Sequence, residues 1–563
     1  MRAQRKSFSS YMRESWDLWL FFLLLAALAV MLLRKCRYGF ANMDEAFYLT
    51  IPLRLAQGDA LMLQEWHLSQ LSGFLLAPLV RLWLMITGGT EGMLLAFRRI
   101  YTVSQLLSAI AVFFLLRKSS RISALLGALL WCVYAPFSIM ALSYNSMGIQ
   151  FVTLSMLIRF RCQKGWALTL GGVFFACAVL CCPFLCLVWA AYALQVLVWS
   201  LLPAASWRPD RRKFGFFTLG IGLMAAVFLL CLFRRMSPGR LLQILPLILN
   251  DPEHGFGGLF KLRSLAGWII LCGHYRWRIF AGYCALMAAG LLCRRSEGKS
   301  LCVLGVLLLC AFHLLAMIRD FDYINHLMFP ICYAAFSCYW IRREGKLKPL
   351  FYGLLLPCLL YVPCLHLSSN QLLFAMSAAA AAAMPAAVTM LVGSVGAEER
   401  GGLRRALAGT LAALLLFQGG AQLHYRWNSI FWEGRPEEQT VLMEEGPEAG
   451  LLMSEKKAAF YLPRFRELQR LNSREKALFL SENTWYYLCG DWENAAFSAW
   501  LSGVNEASVE KLLAYYAVNE DKVPDFIYLD RQEDLGCVAP LMREYGFGVE
   551  QITELGAVVL RRG

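Results

Sequence analysis

Charge is what this chain has least of. Only 17% of its residues are Asp, Glu, Lys or Arg while 58% are hydrophobic, against about a quarter charged in an ordinary soluble domain. Metal-binding spacing is also missing: 19 cysteines yield no CxxC pair and no Cys/His cluster, which argues against structural zinc. Most cysteines, among them Cys181, Cys182, Cys186, Cys302 and Cys310, lie inside apolar runs, where they act as small hydrophobes. No Asn-x-Ser/Thr occurs anywhere, which fits a bacterial plasma membrane better than a eukaryotic secretory route. The C-terminal part has no glycine-rich phosphate loop and no GxSxG, and no repeat of 20–50 residues is evident, so solenoid architectures do not apply.

Long apolar runs are present instead. Many have roughly 17–25 residues, the length a helix needs to cross about 30 Å of hydrocarbon. The first, Trp16–Leu33, follows a basic N-terminus (Arg2, Arg5, Lys6, Arg13) and is not succeeded by a small-residue cleavage site, so it reads as a retained span. Thirteen spans are expected, near 16–34, 98–116, 122–141, 145–161, 166–182, 184–203, 213–233, 277–293, 300–318, 324–341, 349–366, 371–394 and 404–423.

Placing the N-terminus in the cytoplasm makes every second connection cytoplasmic. Those connections carry Arg117-Lys118 with Arg121, Arg159 with Arg161 and Lys164, Arg208 with Arg211 to Lys213, Arg294-Arg295 with Lys299, Arg342-Arg343 with Lys346 and Lys348, and Arg400 with Arg404-Arg405. All six are basic, as the positive-inside bias requires. The odd number of spans then leaves the C-terminus outside. Leu71–Ile86 is apolar enough to tempt as a further span but contains Pro78 and Arg81, and counting it would invert every later connection. It is therefore assigned to a juxtamembrane or re-entrant helix within a long first external loop, residues 35–97.

The net charge of +15 conceals a division. From Arg426 onward there are 15 basic and 23 acidic residues, whereas the preceding part holds 39 basic and 16 acidic. Beyond the spans (1–423), short β-type runs (450–453, 477–480, 526–529, 557–560) alternate with helical stretches (457–471, 508–518, 539–545). That alternation predicts a small extracytoplasmic α/β domain over 424–563 with a partly parallel sheet. If this tail is extracytoplasmic, Cys489 and Cys537 are candidates for a disulfide.

Several external features carry polar chemistry. Asp251, Glu253 and His254 follow Asn250 in the loop 234–276, where turn formation competes with substrate or metal contact. Arg319-Asp320-Phe321-Asp322-Tyr323-Ile324-Asn325-His326 stands at the mouth of a span, where ionisable groups are costly unless paired or hydrated. Ser143-Tyr144-Asn145-Ser146 is a polar tip with a helix cap as the competing explanation. Cations at external helix ends (Arg34, Lys35, Arg37, Arg98, Arg99, Arg234, Arg235, Arg240, Arg276, Arg278, Arg319) either snorkel or bind an anionic headgroup.

The first external loop opens with Asn42-Met43-Asp44-Glu45-Ala46-Phe47-Tyr48, two adjacent carboxylates beside a membrane with no cation between them. Asp44 can serve as the N-cap of a short helix whose face is Tyr48, Ile51 and Leu55. Asp44-Glu45 with Tyr48, then Arg54-Leu55-Ala56-Gln57-Gly58-Asp59, then Trp66, His67 and Gln70 leading to Ala77-Pro78-Leu79, resembles the first external loop of the glycosyltransferase-C superfamily. The similarity is greatest to the protein O-mannosyltransferase and aminoarabinose-transferase type. That resemblance implies an α-helical polytopic membrane protein of about 13 transmembrane helices carrying an extracytoplasmic domain. It also implies an inverting transfer of a sugar from a polyprenyl-phosphate donor to an acceptor hydroxyl on protein, lipid or glycan.

On this reading Asp44, with Glu45 beside it, is the general base. Tyr48, Arg54, His67, Gln70, Tyr144, Asn145, Arg319, Tyr323 and His326 are candidates for the donor phosphate and sugar, and a divalent metal is an optional contributor. Two departures stand out: no lysine precedes Pro78, and Tyr144-Asn145 occupies a loop where relatives supply another acid. A transporter or flippase, or a non-catalytic scaffold in envelope glycan assembly, is the alternative.

Overall fold

The computed structural model of the chain describes residues 15–201, 210–250, 258–270, 277–319, 326–368, 379–471, 474–501 and 504–563. The chain is a multi-pass helical membrane protein with a small sheet near its C-terminus. Its first helices are α1 (Trp16–Lys35), α2 (Asn42–Gln57), α3 (Gln70–Thr87), α4 (Met93–Arg117), α5 (Arg121–Val133) and α6 (Tyr144–Arg161). Seven helices among the described residues are long and apolar enough to cross a membrane, by length and composition: α1, α3, α4, Arg211–Phe233, Ser296–Ile318, Lys348–Ser368 and Gly401–Asn428. Shorter apolar helices such as Gly165–Cys181, Trp277–Leu292 and Met384–Gly396 pack among them.

Most of the expected spans coincide with helices, residues 202–203, 324–325 and 371–378 of three of them lying outside the described residues, and two differences are instructive. The stretch expected to run to residue 141 stops at Val133, because Pro136 follows and Phe137 and Ser138 take left-handed backbone angles (φ 55° and 58°) that side chains other than glycine adopt at a cost. The stretch around Leu71–Ile86 forms a continuous eighteen-residue helix through Pro78, ended by Gly88 in the left-handed conformation, and it meets the length and composition of a span.

Packing within the bundle uses small residues, as expected where lipid removes the usual hydrophobic drive between helices. Gly172 and Gly220 face each other so closely that a Cβ on either would clash with a backbone oxygen of the opposite helix, that of Phe217 or Thr169. At the other side of the bundle Phe21 of α1 stacks on Phe113 of α4 with centroids 4.0 Å apart. Arg117 at the end of α4 reaches the buried Asp17 carboxylate through two nitrogens, at 2.5 and 3.1 Å.

Near the C-terminus, five strands form one sheet. With β1 (Val441–Leu442), β2 (Leu452–Met453), β3 (Lys476–Leu480), β4 (Glu493–Asn494), β5 (Phe526–Leu529), β6 (Phe547–Ile552) and β7 (Val558–Arg562), the order is β4-β3-β5-β7-β6. β3 runs parallel to β4 and β5, and β7 is antiparallel to β5 and β6. The run at 450–453 does not join this sheet; its last two residues pair with β1 instead. Cys489 and Cys537, the candidates for a disulfide, are both free thiols, and Cys489 is buried with its Sγ against the Trp485 carbonyl.

This C-terminal region holds the first loop tightly. Leu452 exchanges backbone hydrogen bonds with Arg37 and Gly39, and Phe497 accepts from Trp66 N–H at 2.8 Å. The carbonyls of Gly446 and Pro447 accept from Gly92 and Leu94 at the start of α4. Just beyond them the fully buried Glu448 accepts from the Trp485 indole at 2.9 Å, and burial pushes its carboxyl up to about 7.

Since the unfolded carboxyl titrates near 4.3, the folded state keeps a proton that the unfolded state has lost between roughly pH 4.3 and 7. Stability therefore falls as pH rises through that window, by about 4 kcal/mol, and Glu448→Gln removes the fall. Thermal unfolding at pH 5 and pH 8 checks this: the variant is expected to melt higher than the parent at pH 8 only. An unchanged pH slope would show that Glu448 does not titrate this way.

Candidate functional site

α2 begins without help from Asp44. Its N-cap is Ala41, which offers no side-chain hydrogen bond. The task passes to Glu45, whose Oε2 accepts from the Ala41 N–H at 3.0 Å. Asp44 is thus the third residue of the helix and not its cap, which removes the structural explanation that competed for it.

Glu45 is committed elsewhere. Both its oxygens receive the Arg98 guanidinium, at 2.5 and 2.6 Å, and the pair is buried. Arg98 also donates to the carbonyls of Cys36 and Tyr38, at 2.8 and 3.2 Å. A bidentate buried pair of this kind fixes the geometry of both side chains. Glu45 is therefore tied into a buried ion pair, and Arg98, turned inward to it, is not placed to snorkel or to meet a headgroup. On the other side of Asp44, the Met43 carbonyl accepts from the Thr484 hydroxyl at 2.8 Å.

With both neighbours pinned, the Asp44 carboxyl remains half-buried, and burial alone raises it to about 6. One turn along α2, on the same face, lies Tyr48. Its ring meets that of Tyr144, the first residue of α6, edge to face with centroids 5.9 Å apart, and their side chains hydrogen-bond. The Tyr48 phenol is driven far above its ordinary range by burial, with the Asp44 charge adding to it, so it stays a neutral donor.

Asn145 follows at the same helix start, with its Oδ1 buried and without a hydrogen-bond partner. Ser143 and Ser146 form the capping box that starts α6 there, so the polar tip is partly a cap and partly a wall of the site. Phe47, on the next position around α2, sits between His67 (centroids 4.7 Å) and Trp500 (5.2 Å). The His67 ring nitrogen Nδ1 is engaged by Ser69, through both its hydroxyl (2.8 Å) and its N–H. A small cleft lined by Phe47, Tyr48, Ser69, Ser72 and Ser143 separates α2 from α3.

Beneath this surface Arg426 donates to the Ser138 carbonyl at 3.3 Å, and the Ser138 hydroxyl donates to the Ser429 carbonyl at 2.9 Å, holding the left-handed turn that supports Tyr144. The sequence marks Arg98 only as one of several cations at external helix ends and gives no signal for Trp500 or Arg426. Each reaches the loop from a distant element, and no local pattern reports that.

Other expected residues lie apart. Arg54 is fully buried and bound to Asp59 (2.5 Å), Glu65 (3.0 Å), the Gln64 carbonyl and the Tyr515 hydroxyl. Lys522 also reaches Asp59, at 2.5 Å. That network clamps the loop to the C-terminal region, so Arg54 is not placed to meet a phosphate. Gln70 is buried with its Oε1 accepting from Met62 N–H at 2.7 Å, an internal brace. Arg319 is exposed at the end of Ser296–Ile318, and His326 is fully buried just before Met328–Arg342. Tyr323, Asp251, Glu253 and His254 lie outside the described residues. Among the described residues no three His, Cys, Asp or Glu side chains gather in a way that would hold a metal ion.

No protein-family model matches the sequence, and no curated protein does. Among solved structures, ArnT from Cupriavidus metallidurans, determined bound to undecaprenyl phosphate, is 13% identical, with a TM-score of 0.40 over 97% of this chain and 98% of its own. The oligosaccharyltransferase AglB from Archaeoglobus fulgidus, determined with an inhibitory peptide and a dolichol-phosphate, is 12% identical, with a TM-score of 0.39 over 98% of this chain and 75% of its own.

Proposed function

We propose that this chain is a membrane glycosyltransferase of the glycosyltransferase-C type. It would move a sugar from a polyprenyl-phosphate donor to an acceptor hydroxyl, with inversion at the anomeric carbon, on the outer face of a bacterial plasma membrane. One observation carries the reading beyond the resemblance of the loop sequence. Of the two adjacent carboxylates, one is neutralised by a buried arginine and the other is left unpaired beside two tyrosine hydroxyls. Different surroundings for two neighbouring acids are how proteins assign them different chemical roles.

In this mechanism Asp44, ionised at neutral pH, accepts the proton of the acceptor hydroxyl as its oxygen attacks the anomeric carbon. The bond from that carbon to the phosphate oxygen breaks, and the polyprenyl phosphate leaves as a stable anion. No strong general acid is required. Tyr48 and Tyr144 donate, and Asn145 Oδ1 accepts, at hydroxyls of the sugar or acceptor. Charge on the departing phosphate calls for a cation or a hydrogen-bond donor; Arg319, Tyr323 and His326 are the candidates the sequence offers for that role.

The test uses the full chain purified into nanodiscs. Mass spectrometry of its co-purifying lipid is expected to find a polyprenyl-phosphate sugar, and incubation with a hydroxyl acceptor is expected to release free polyprenyl phosphate. Movement of an intact lipid across the bilayer without loss of its sugar would establish a flippase instead.

A further inference from the structure

A second large feature lies at the other end of α6. Tyr144 and Arg159 are separated by fifteen residues of one helix, or about 22 Å at 1.5 Å per residue, so what surrounds Arg159 is remote from Asp44. There, helices α6, Gly165–Cys181, Cys186–Leu201, Arg211–Phe233 and Lys348–Ser368 enclose a groove of about 450 Å³, within the roughly 300–1,000 Å³ common for ligand cavities. Most of its wall is apolar and aromatic, including Trp189, Phe217, Leu356 and Leu360, while Arg159 and Lys213 supply positive charge.

Both cations are held in place or kept near. Arg159 donates one N–H to the Gly353 carbonyl at 2.8 Å and lies over the Tyr192 ring at 4.9 Å, which leaves further donors of its five. Lys213 is half-buried in the first turn of Arg211–Phe233. The acid lining the groove, Asp210, already accepts from the N–H groups of Arg212 and Lys213 at 3.0 and 3.1 Å as the cap of that helix. The groove therefore presents a net positive end joined to an apolar trough.

Its surroundings say which anion suits it. Helix Cys186–Leu201, which forms one wall, exposes Leu187, Leu194 and Leu197 over more than half of their surface, a face fit for hydrocarbon. We infer that the groove holds an anionic membrane phospholipid, with its phosphate at Arg159 and Lys213 and an acyl chain along the trough. Basic connections attract such lipids to the cytoplasmic leaflet, the side to which the charge pattern assigns Arg159 and Lys213. The site is separate from the proposed sugar-transfer centre and does not depend on that assignment.

Titration of the full chain in neutral detergent with phosphatidylglycerol, phosphatidylcholine and inorganic phosphate, followed by native mass spectrometry, tests this. Phosphatidylglycerol is expected to be retained at least tenfold more strongly than phosphatidylcholine, with inorganic phosphate not competing. Arg159→Gln with Lys213→Gln should bring the two lipids within about twofold. Ala191→Trp, which fills the trough and keeps both cations, should lose lipid retention, and it decides the matter if the double variant fails to fold. Equal retention of the two lipids by the parent, displacement by inorganic phosphate, or unchanged retention in Ala191→Trp would overturn the assignment.

Discussion

Asp44→Asn abolishes sugar transfer while the protein still folds and inserts. Removing a general base costs on the order of 10²- to 10⁴-fold, and asparagine keeps the shape of the side chain while losing the proton acceptor. Since the Asp44 carboxyl is raised to about 6 by burial, the parent's rate should climb with pH through that value and level off above it, and residual activity in the variant should lack the climb.

Stability gives an independent readout. A carboxyl raised in the folded state makes stability fall as pH rises from its ordinary range through about 6. Asp44→Asn is consequently expected to melt at or above the parent temperature at pH 8. Gain in stability with loss of activity is the pattern of a residue kept for chemistry. Retained transfer in Asp44→Asn, measured as release of polyprenyl phosphate, would end the proposal that this residue is the base.

Glu45→Gln is expected to do the reverse, damaging the fold first. Its partner Arg98 is buried, and removing one member of a buried ion pair costs about 3–5 kcal/mol because the other charge is left uncompensated. The discriminating experiment is the double variant Glu45→Gln with Arg98→Met. With no stranded charge, it should recover much of the lost melting temperature. Activity should return in part as well, because Asp44 regains its seat. If Glu45→Gln melted like the parent but transferred no sugar, Glu45 would belong to the chemistry after all.

These two neighbours show where sequence reading reached and where it stopped. Adjacent acids at the membrane edge are visible in the string Asp44-Glu45, and so is the resemblance of the loop around them. Which of the two is free to act is not visible, because it depends on Arg98 arriving from more than fifty positions away. Arg54 is the same case in reverse. The resemblance of the loop offers it as a substrate cation, but Glu65 and the distant Tyr515 and Lys522 turn that stretch into a clamp. Trp500 became part of the site only because a sheet-bearing region folds back over α2.

Local physics carried the rest. Apolar length and basic connections are properties of continuous segments, so the helical, multi-pass character followed from the sequence alone, as did strands β3, β5 and β7 from their short apolar runs. β6 escaped notice because most of its residues are exposed at a sheet edge, and β4 because it has two residues. By itself the sequence determined what kind of chain this is and where its acidic loop begins. Only the tertiary structure decided that Asp44, with pinned residues on either side, is the carboxylate left unpaired, since pairing among buried charges is settled by contacts between elements far apart in the chain.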